Sequence, residues 1–272
     1  MITKKILRVR IQHVLRKIRL LALADQARYY YKTWRLRKRN RQFIAANPGF
    51  ALPPAYLAFD AYSSSHWEFY KVSGEQTASF LKTIADTYFP GGHSLSAVYE
   101  WGCGPARITR QMPAVFGPVE LHASDYNAQT IAWCKENIPG VHFMKNELRP
   151  PLSYPDNMFD FIYAVSVFTH LSEKNCLDWA HELYRVLRPG GILLITTDSD
   201  SVYRKEFLPA EKKEYDTKGI VVKGRYEEGK KMFLTRHSPK YIREKLLQPF
   251  EILEHVPEVF PFMKQDYWVA KK

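Results

Sequence analysis

Cysteine is scarce in this chain of 272 residues: Cys103, Cys134 and Cys176 are odd in number, far apart and free of any C-x-x-C pair. That excludes a disulfide framework and a cysteine-built zinc site, and it fits a reducing, cytoplasmic compartment. Long apolar runs are also missing. No stretch approaches the ~18 consecutive apolar residues of a membrane span, and the N-terminus has no compact apolar segment followed by a small-residue cleavage site, so neither a bilayer crossing nor a secretory signal is expected. With 13 Gly, 17 Pro and no internal repeat, collagen-like and low-complexity classes drop out. What remains is long enough for one large α/β domain with appendages around a single core.

Residues 1–41 lack acid. Fourteen Lys and Arg stand there against one carboxylate, Asp25, so this arm carries +13 of a chain whose net charge is +12, and the rest is close to neutral at −1. Ile2, Ile6, Leu7, Ile11, Val14, Leu15, Ile18, Leu21 and Ala22 recur at spacings of three and four, which predicts an amphipathic helix with a basic opposite face. Tyr29, Tyr30, Tyr31 and Trp34 follow. Such an arm suits an anionic membrane interface or a nucleic-acid backbone, or it packs one face on its own domain. An organellar transit peptide would share the arginines but not the near absence of serine.

Asn47-Pro48-Gly49 and Pro53-Pro54 place a boundary near residue 50, with an arm and linker over 1–50 and a domain over 51–272. A helix is expected over 74–89, ended by Pro90-Gly91-Gly92. Strands then read at 95–101, 120–124, 142–145, 159–168 and 191–197, and helices at 107–116, 128–137 and 174–187. This alternation implies βαβ units and a doubly wound, parallel sheet. Arg188-Pro189-Gly190-Gly191 reads as the turn between the last helix and strand. The charged segment 198–240 reads as an insertion over the site, and 250–255 with 265–270 as an antiparallel edge hairpin.

The informative stretch is Glu100-Trp101-Gly102-Cys103-Gly104, a strand running into a Gly-x-Gly turn before a helix. Glycines there let backbone approach a ligand where side chains would clash. Asp125 stands 21 residues beyond Gly104 at the end of the second strand, where an acid can grip a ribose hydroxyl. Together they point to an adenosine-containing cofactor. Arg107 in place of a third glycine and Glu100 two residues before the first point away from NAD, because a pyrophosphate gains nothing from that carboxylate.

On these residues the sequence resembles the class I S-adenosylmethionine-dependent methyltransferases over about residues 70–200. The resemblance implies a mostly parallel seven-stranded sheet with an antiparallel last strand, preceded here by the basic helical arm. It implies that Glu100, Gly102, Cys103 and Gly104 lie against the methionine and ribose of S-adenosylmethionine. Asp125 then binds the ribose, Tyr126 the adenine face, and Asn146 and Glu147 the adenine amino group. Tyr70 and Gly74 cover the methionine end, and Ser166 joins the set from the fourth strand's end. Phe159-Asp160-Phe161-Ile162-Tyr163 and the stretch 183–191 resemble two further blocks of the family, with Asp160 in a turn or capping role. Cys103 reads as a small buried filler rather than a reactive thiol.

For a hydroxyl acceptor a base is needed. His170, after the fourth strand, and His237, in the 198–240 segment, are the candidates, with a structural role the alternative for His170. The Asn/Asp-Pro-Pro-Tyr motif of amino methylases is missing: Ala164-Val165-Ser166-Val167 stands instead. No His/Asp cluster shows metal-ligand spacing, and no metal is expected. The terminal segment 265–272 is similar to endings of bacterial methyltransferases associated with surface-polysaccharide synthesis. The expectation is therefore O-methylation of a small-molecule, sugar or glycan acceptor, in the cytoplasm or peripheral to the inner membrane surface. An RNA methyltransferase using the arm and a non-catalytic scaffold are the alternatives.

Overall fold

A computed structural model describes residues 4–89 and 95–272; the expected Pro90-Gly91-Gly92 stop lies outside them. The arm forms two helices, α1 (Lys4–Lys17) and α2 (Leu21–Ala46), followed by α3 (Ala55–Tyr62) and α4 (Trp67–Tyr88). Then come β1 (Ala97–Trp101), α5 (Met112–Phe116), β2 (Glu120–Asp125), α6 (Ala128–Asn137), β3 (His142–Lys145), β4 (Phe159–Ala164), α7 (Glu173–Val186) and β5 (Leu187–Asp198). The sheet has seven strands in the order β3-β2-β1-β4-β5-β9-β8, where β8 is Glu251–Val256 and β9 is Gln265–Lys271. Neighbours from β3 to β5 pair in parallel, and β9 is antiparallel to both β5 and β8. The seven-stranded, mostly parallel fold and its reversed last strand are as the sequence predicts.

Central strands covered on both faces must be apolar throughout. All five residues of β1 are buried, and β5 is buried from Gly191 to Asp198. On one face Trp179 of α7 packs on Trp101, ring centroids 4.6 Å apart; on the other, Leu81 and Ile84 of α4 pack with Val98 and Leu121. Asp160 ties the sheet's base: one carboxylate oxygen accepts the amides of Ser96 (2.7 Å) and Ala97 (2.9 Å), the other the Arg188 guanidinium (2.8 Å).

Several boundaries differ from the sequence pattern: the helix expected over 74–89 already starts at Trp67, and the one expected over 107–116 is a 3-10 turn at 109–111 followed by the short α5. β4 stops at Ala164 because Ser166 adopts φ +63° and residues 168–170 form a 3-10 turn. Residues 188–191 are not a free turn, since the backbones of Gly190 and Gly191 pair with Lys272.

The segment after β5 forms α8 (Asp200–Tyr203), α9 (Pro209–Lys218) and a two-stranded hairpin of β6 (Ile220–Lys223) and β7 (Leu234–His237). The arm holds this hairpin. The buried Arg16 guanidinium donates to the carbonyls of Lys223 (2.8 Å), Gly224 (2.7 Å) and Met232 (2.7 Å). Asp25, the arm's one acid, pairs with Lys231 at 2.9 Å, both largely buried. Lys231 also lies 3.6 Å from the Phe59 ring centre. So α1 and α2 pack on their own domain through specific polar contacts, while Leu7, Ile11, Val14 and Ile18 are left 51–54% exposed. Among the described residues no helix is long and apolar enough to cross a membrane.

Arg16→Ala leaves three carbonyls of the hairpin without their donor, a loss on the order of 2 kcal/mol for bonds to a charged group. Amide exchange in residues 220–223 and 234–237 should accelerate roughly tenfold or more by mass spectrometry, with β1 and β4 unchanged.

Candidate active site

In a doubly wound sheet the ligand crevice opens at the carboxyl ends of strands where the chain order reverses. Here β1 and β4 are neighbours at that reversal, and a cleft opens at the ends of β1, β2 and β4. Its floor is the turn after β1. Gly102 and Gly104 take φ +75° and +51°, which side-chain-bearing residues adopt only with strain. A Cβ on Gly102 would lie 2.5 Å from a methyl carbon of Val167, so that glycine also lets β4's exit pack close.

Asp125 is positioned by backbone. One carboxylate oxygen accepts the Gly104 amide at 3.0 Å and the other the Asn127 amide at 2.8 Å, while the Asn127 side chain caps α6. Burial pushes its carboxyl up to about 6, against the pull of those two amides and of Lys230. Each oxygen keeps a free lone pair for a further donor. Asn146, just past β3, is buried and lines the same cleft; its Nδ2 donates to the Glu147 carbonyl, and its Oδ1 has no donor among the described residues. Glu147 lines the rim, exposed and paired with Lys145.

Tyr126 forms a wall, with the Lys230 ammonium 5.8 Å from its ring centre. Lys230 pairs with Asp60 of α3 at 3.1 Å. Opposite, the Tyr62 hydroxyl accepts the Arg107 amide at 3.2 Å and donates to the Cys103 carbonyl at 3.4 Å. Asp60, Tyr62, Lys230 and Lys231 all line the cleft, and none lies in a motif that the sequence pattern singles out. The composition of Phe59-Asp60-Ala61-Tyr62 and Gly229-Lys230-Lys231 gives no signal; tertiary packing of α3 and the hairpin brings them in.

His170 also lines the cleft. Its Nδ1 sits 2.9 Å from the Phe233 carbonyl; since a carbonyl only accepts, Nδ1 carries the hydrogen and Nε2 keeps its lone pair. Burial lowers its pKa to about 4, so the ring is neutral at pH 7. Ser166 lines the cleft too, but its hydroxyl is engaged with Gln265 at 2.7 Å.

Other predicted residues lie outside the cleft lining. Glu100 is buried beneath the turn, accepting from Thr109 and from the Tyr163 hydroxyl (2.9 Å); burial pushes its carboxyl up to about 7. Cys103 faces Ala123 and Cys134 in a small apolar cluster, and burial raises its thiol. Tyr70 is buried and donates to the Pro105 carbonyl at 2.6 Å, supporting the turn from behind. Gly74 lets α4 approach: a Cβ there would lie 2.1 Å from the Arg107 carbonyl oxygen. His237 is buried within the β6–β7 layer with Tyr241 near its ring, and neither ring nitrogen has a partner among the described residues. Burial lowers its pKa to about 3. It does not reach the cleft, because alternation along β7 turns Thr235 and His237 inward together.

Residues 98–191, which hold the turn, Asp125, Asn146 and His170, match the family model of a methyltransferase domain. The chain thus contains a stretch of a methyltransferase domain. The fold agrees. A methyltransferase from Methanosarcina mazei superposes with a TM-score of 0.53 at 20% identity, covering 70% of this chain and 96% of that one. One from Mesorhizobium loti gives 0.50 at 16%, with the same coverage. A malonyl-[acyl-carrier protein] O-methyltransferase of Enterobacter lignolyticus is 32% identical over 104 residues. This chain spans only 38% of that relative's length, and the match takes in 37% of this chain.

The methyltransferase domain has residues that fit S-adenosylmethionine. Asp125 offers acceptors for ribose hydroxyls, the unpartnered Oδ1 of Asn146 an acceptor for an adenine amino group, and Tyr126 an apolar face. Asp125 must be ionised to accept with both oxygens. Because burial raises its pKa to about 6, cofactor affinity should be full above that pH and fall by up to about tenfold per unit below it. Isothermal titration between pH 5 and 8 reads this, and Asp125→Asn should bind weakly with a flat profile over that range.

Proposed function

We propose that this methyltransferase domain methylates an oxygen of a sugar or other small polar acceptor, presented at an anionic membrane surface. The observation that carries the reading is His170: a neutral imidazole on the cleft wall, held in one tautomer by the Phe233 carbonyl, with Nε2 as its basic nitrogen. S-adenosylmethionine, when bound, supplies an electrophilic methyl group on a sulfonium. The protein's part is alignment and removal of one proton. Asp125 and Asn146 would hold the nucleoside, and Nε2 of His170 would take the acceptor's hydroxyl proton as the methyl group leaves sulfur for that oxygen, the carbon–sulfur bonding pair staying on the thioether of S-adenosylhomocysteine. Asp60 and Lys230 offer a carboxylate and an ammonium to a polyhydroxylated acceptor. The oxygen-directed activity named for the Enterobacter relative supports an oxygen acceptor.

The membrane part of the reading rests on α1. Arg16 is spent on the hairpin, whereas Leu7, Ile11, Val14 and Ile18 form an exposed stripe at helical spacing, beside the exposed Arg10, Lys17 and Arg19. An exposed apolar stripe flanked by cations favours an anionic lipid interface, worth roughly 1 kcal/mol per surface cation, over nucleic acid, which needs no such stripe.

His170→Asn keeps an amide donor near the Nδ1 position and removes the base. Turnover should fall about 10²–10⁴-fold, with S-adenosylhomocysteine affinity unchanged; unchanged turnover would remove the base. Labelled S-adenosylmethionine incubated with fractionated cell extracts should mark a glycan or small-molecule fraction, and label confined to RNA would favour the nucleic-acid function.

Ile11→Asp with Val14→Asp spares Arg16 and Asp25. It should reduce partition onto phosphatidylserine vesicles at least about tenfold without altering cofactor affinity. Equal partition, or salt-sensitive RNA binding in place of vesicle binding, argues against the membrane assignment.

A further inference from the structure

We propose a second site, for a zinc-like divalent transition metal, at the amino ends of β2 and β3. It consists of Glu120, His122 and His142. The parallel register pairs His122 directly with His142, and Glu120 lies two residues before His122, so alternation puts all three side chains on one face of the sheet. The carboxylate oxygen and the imidazole nitrogens that can ligate lie within 4.8 Å of one another. The imidazoles stack with centroids 4.9 Å apart, and Nε2 of His122 is 2.8 Å from Glu120 Oε1. Glu120 and His142 are exposed, whereas His122 is 7% exposed.

Two imidazoles and one carboxylate, with room for water, are a donor set for zinc rather than for magnesium or calcium, which take oxygen ligands. Bond lengths near 2.0–2.2 Å place such ligand atoms ~3.3 Å apart, so the Glu120–His122 contact opens slightly and His142 moves in. Both moves are open to exposed side chains. A second partner supports the site from behind: His122 Nδ1 is 3.3 Å from the Tyr154 hydroxyl. Metal binding needs the one proton of the neutral His122 ring to move from Nε2 to Nδ1, where the Tyr154 oxygen accepts it, so no proton is lost. This is the outer-sphere hydrogen bond that orients metal-bound histidines.

The site is remote from the cleft. Glu120 opens β2 and Asp125 closes it, which is about 16 Å of strand at 3.3 Å per residue. The ion therefore takes no part in methyl transfer. It ties the edge strand β3 to β2, and Asn146 follows directly on β3.

Untagged full-length protein, stripped with chelator, is titrated with Co²⁺ as a spectroscopic probe and with Zn²⁺ against a chromophoric competitor. One equivalent should bind, give tetrahedral or five-coordinate visible bands, and raise the melting temperature. Exposed His142→Ala, which should not unfold the chain, is expected to lower affinity at least about a hundredfold. Tyr154→Phe should lower it roughly 10–100-fold, as outer-sphere changes do. Binding that is absent, sub-stoichiometric or equally strong in His142→Ala overturns the site.

Discussion

Asp125 bridges two backbone amides, and the cleft takes its shape from that bridge. The Gly104 amide belongs to the turn leaving β1, and the Asn127 amide to the cap of α6. One carboxylate thus joins two βα units at the point where a ligand would enter, and it fixes the turn that only glycine accommodates without strain. Desolvating a carboxylate is costly unless donors compensate. The two amides and the positive end of α6 supply that compensation, and the remaining lone pairs face the cleft. The same carboxylate that ties the structure also lines the cleft, so a neutral replacement would disturb both the turn and the acceptors offered there.

The cleft's outer wall comes from elsewhere. Lys231 of the β6–β7 hairpin lines it and pairs with Asp25 of α2, while Arg16 of α1 fills three carbonyls of the same hairpin. A buried ion pair recovers its desolvation only when geometry and extra hydrogen bonds are good. Lys231 meets that condition with a bond to the Phe59 carbonyl at 2.9 Å. The sole acid of a strongly basic arm is thus used for one internal contact, and the arm and the cleft share a hairpin.

How much could be read in the sequence follows from how local each determinant is. The Gly102–Gly104 turn, Asp125 and Asn146 sit at strand ends, where period and punctuation are informative, and the structure sets them around one cleft. The strand alternation likewise yields the sheet. Glu100, Tyr70 and Gly74 are near the turn in sequence but pack beneath or behind it; nearness to a motif says nothing about which side of the backbone a side chain takes. Asp60, Tyr62, Lys230 and Lys231 carry no local pattern and arrive by tertiary packing. The Glu120, His122 and His142 cluster has no ligand spacing along the chain because strand register, not sequence distance, brings His142 to His122.

His170 and His237 separate what a residue type can and cannot say. Both are histidines in segments expected near the acceptor, and burial depresses both, to about 4 and about 3. His170 has a carbonyl partner on Nδ1 and a cleft before it, so its other nitrogen is oriented as well as unprotonated. His237 has neither partner nor cleft. Desolvation alone makes an imidazole neutral, but only a fixed tautomer aims its lone pair. Of the two, only His170 thus has an oriented lone pair, and Phe233, one residue before β7, is the hairpin residue that fixes it.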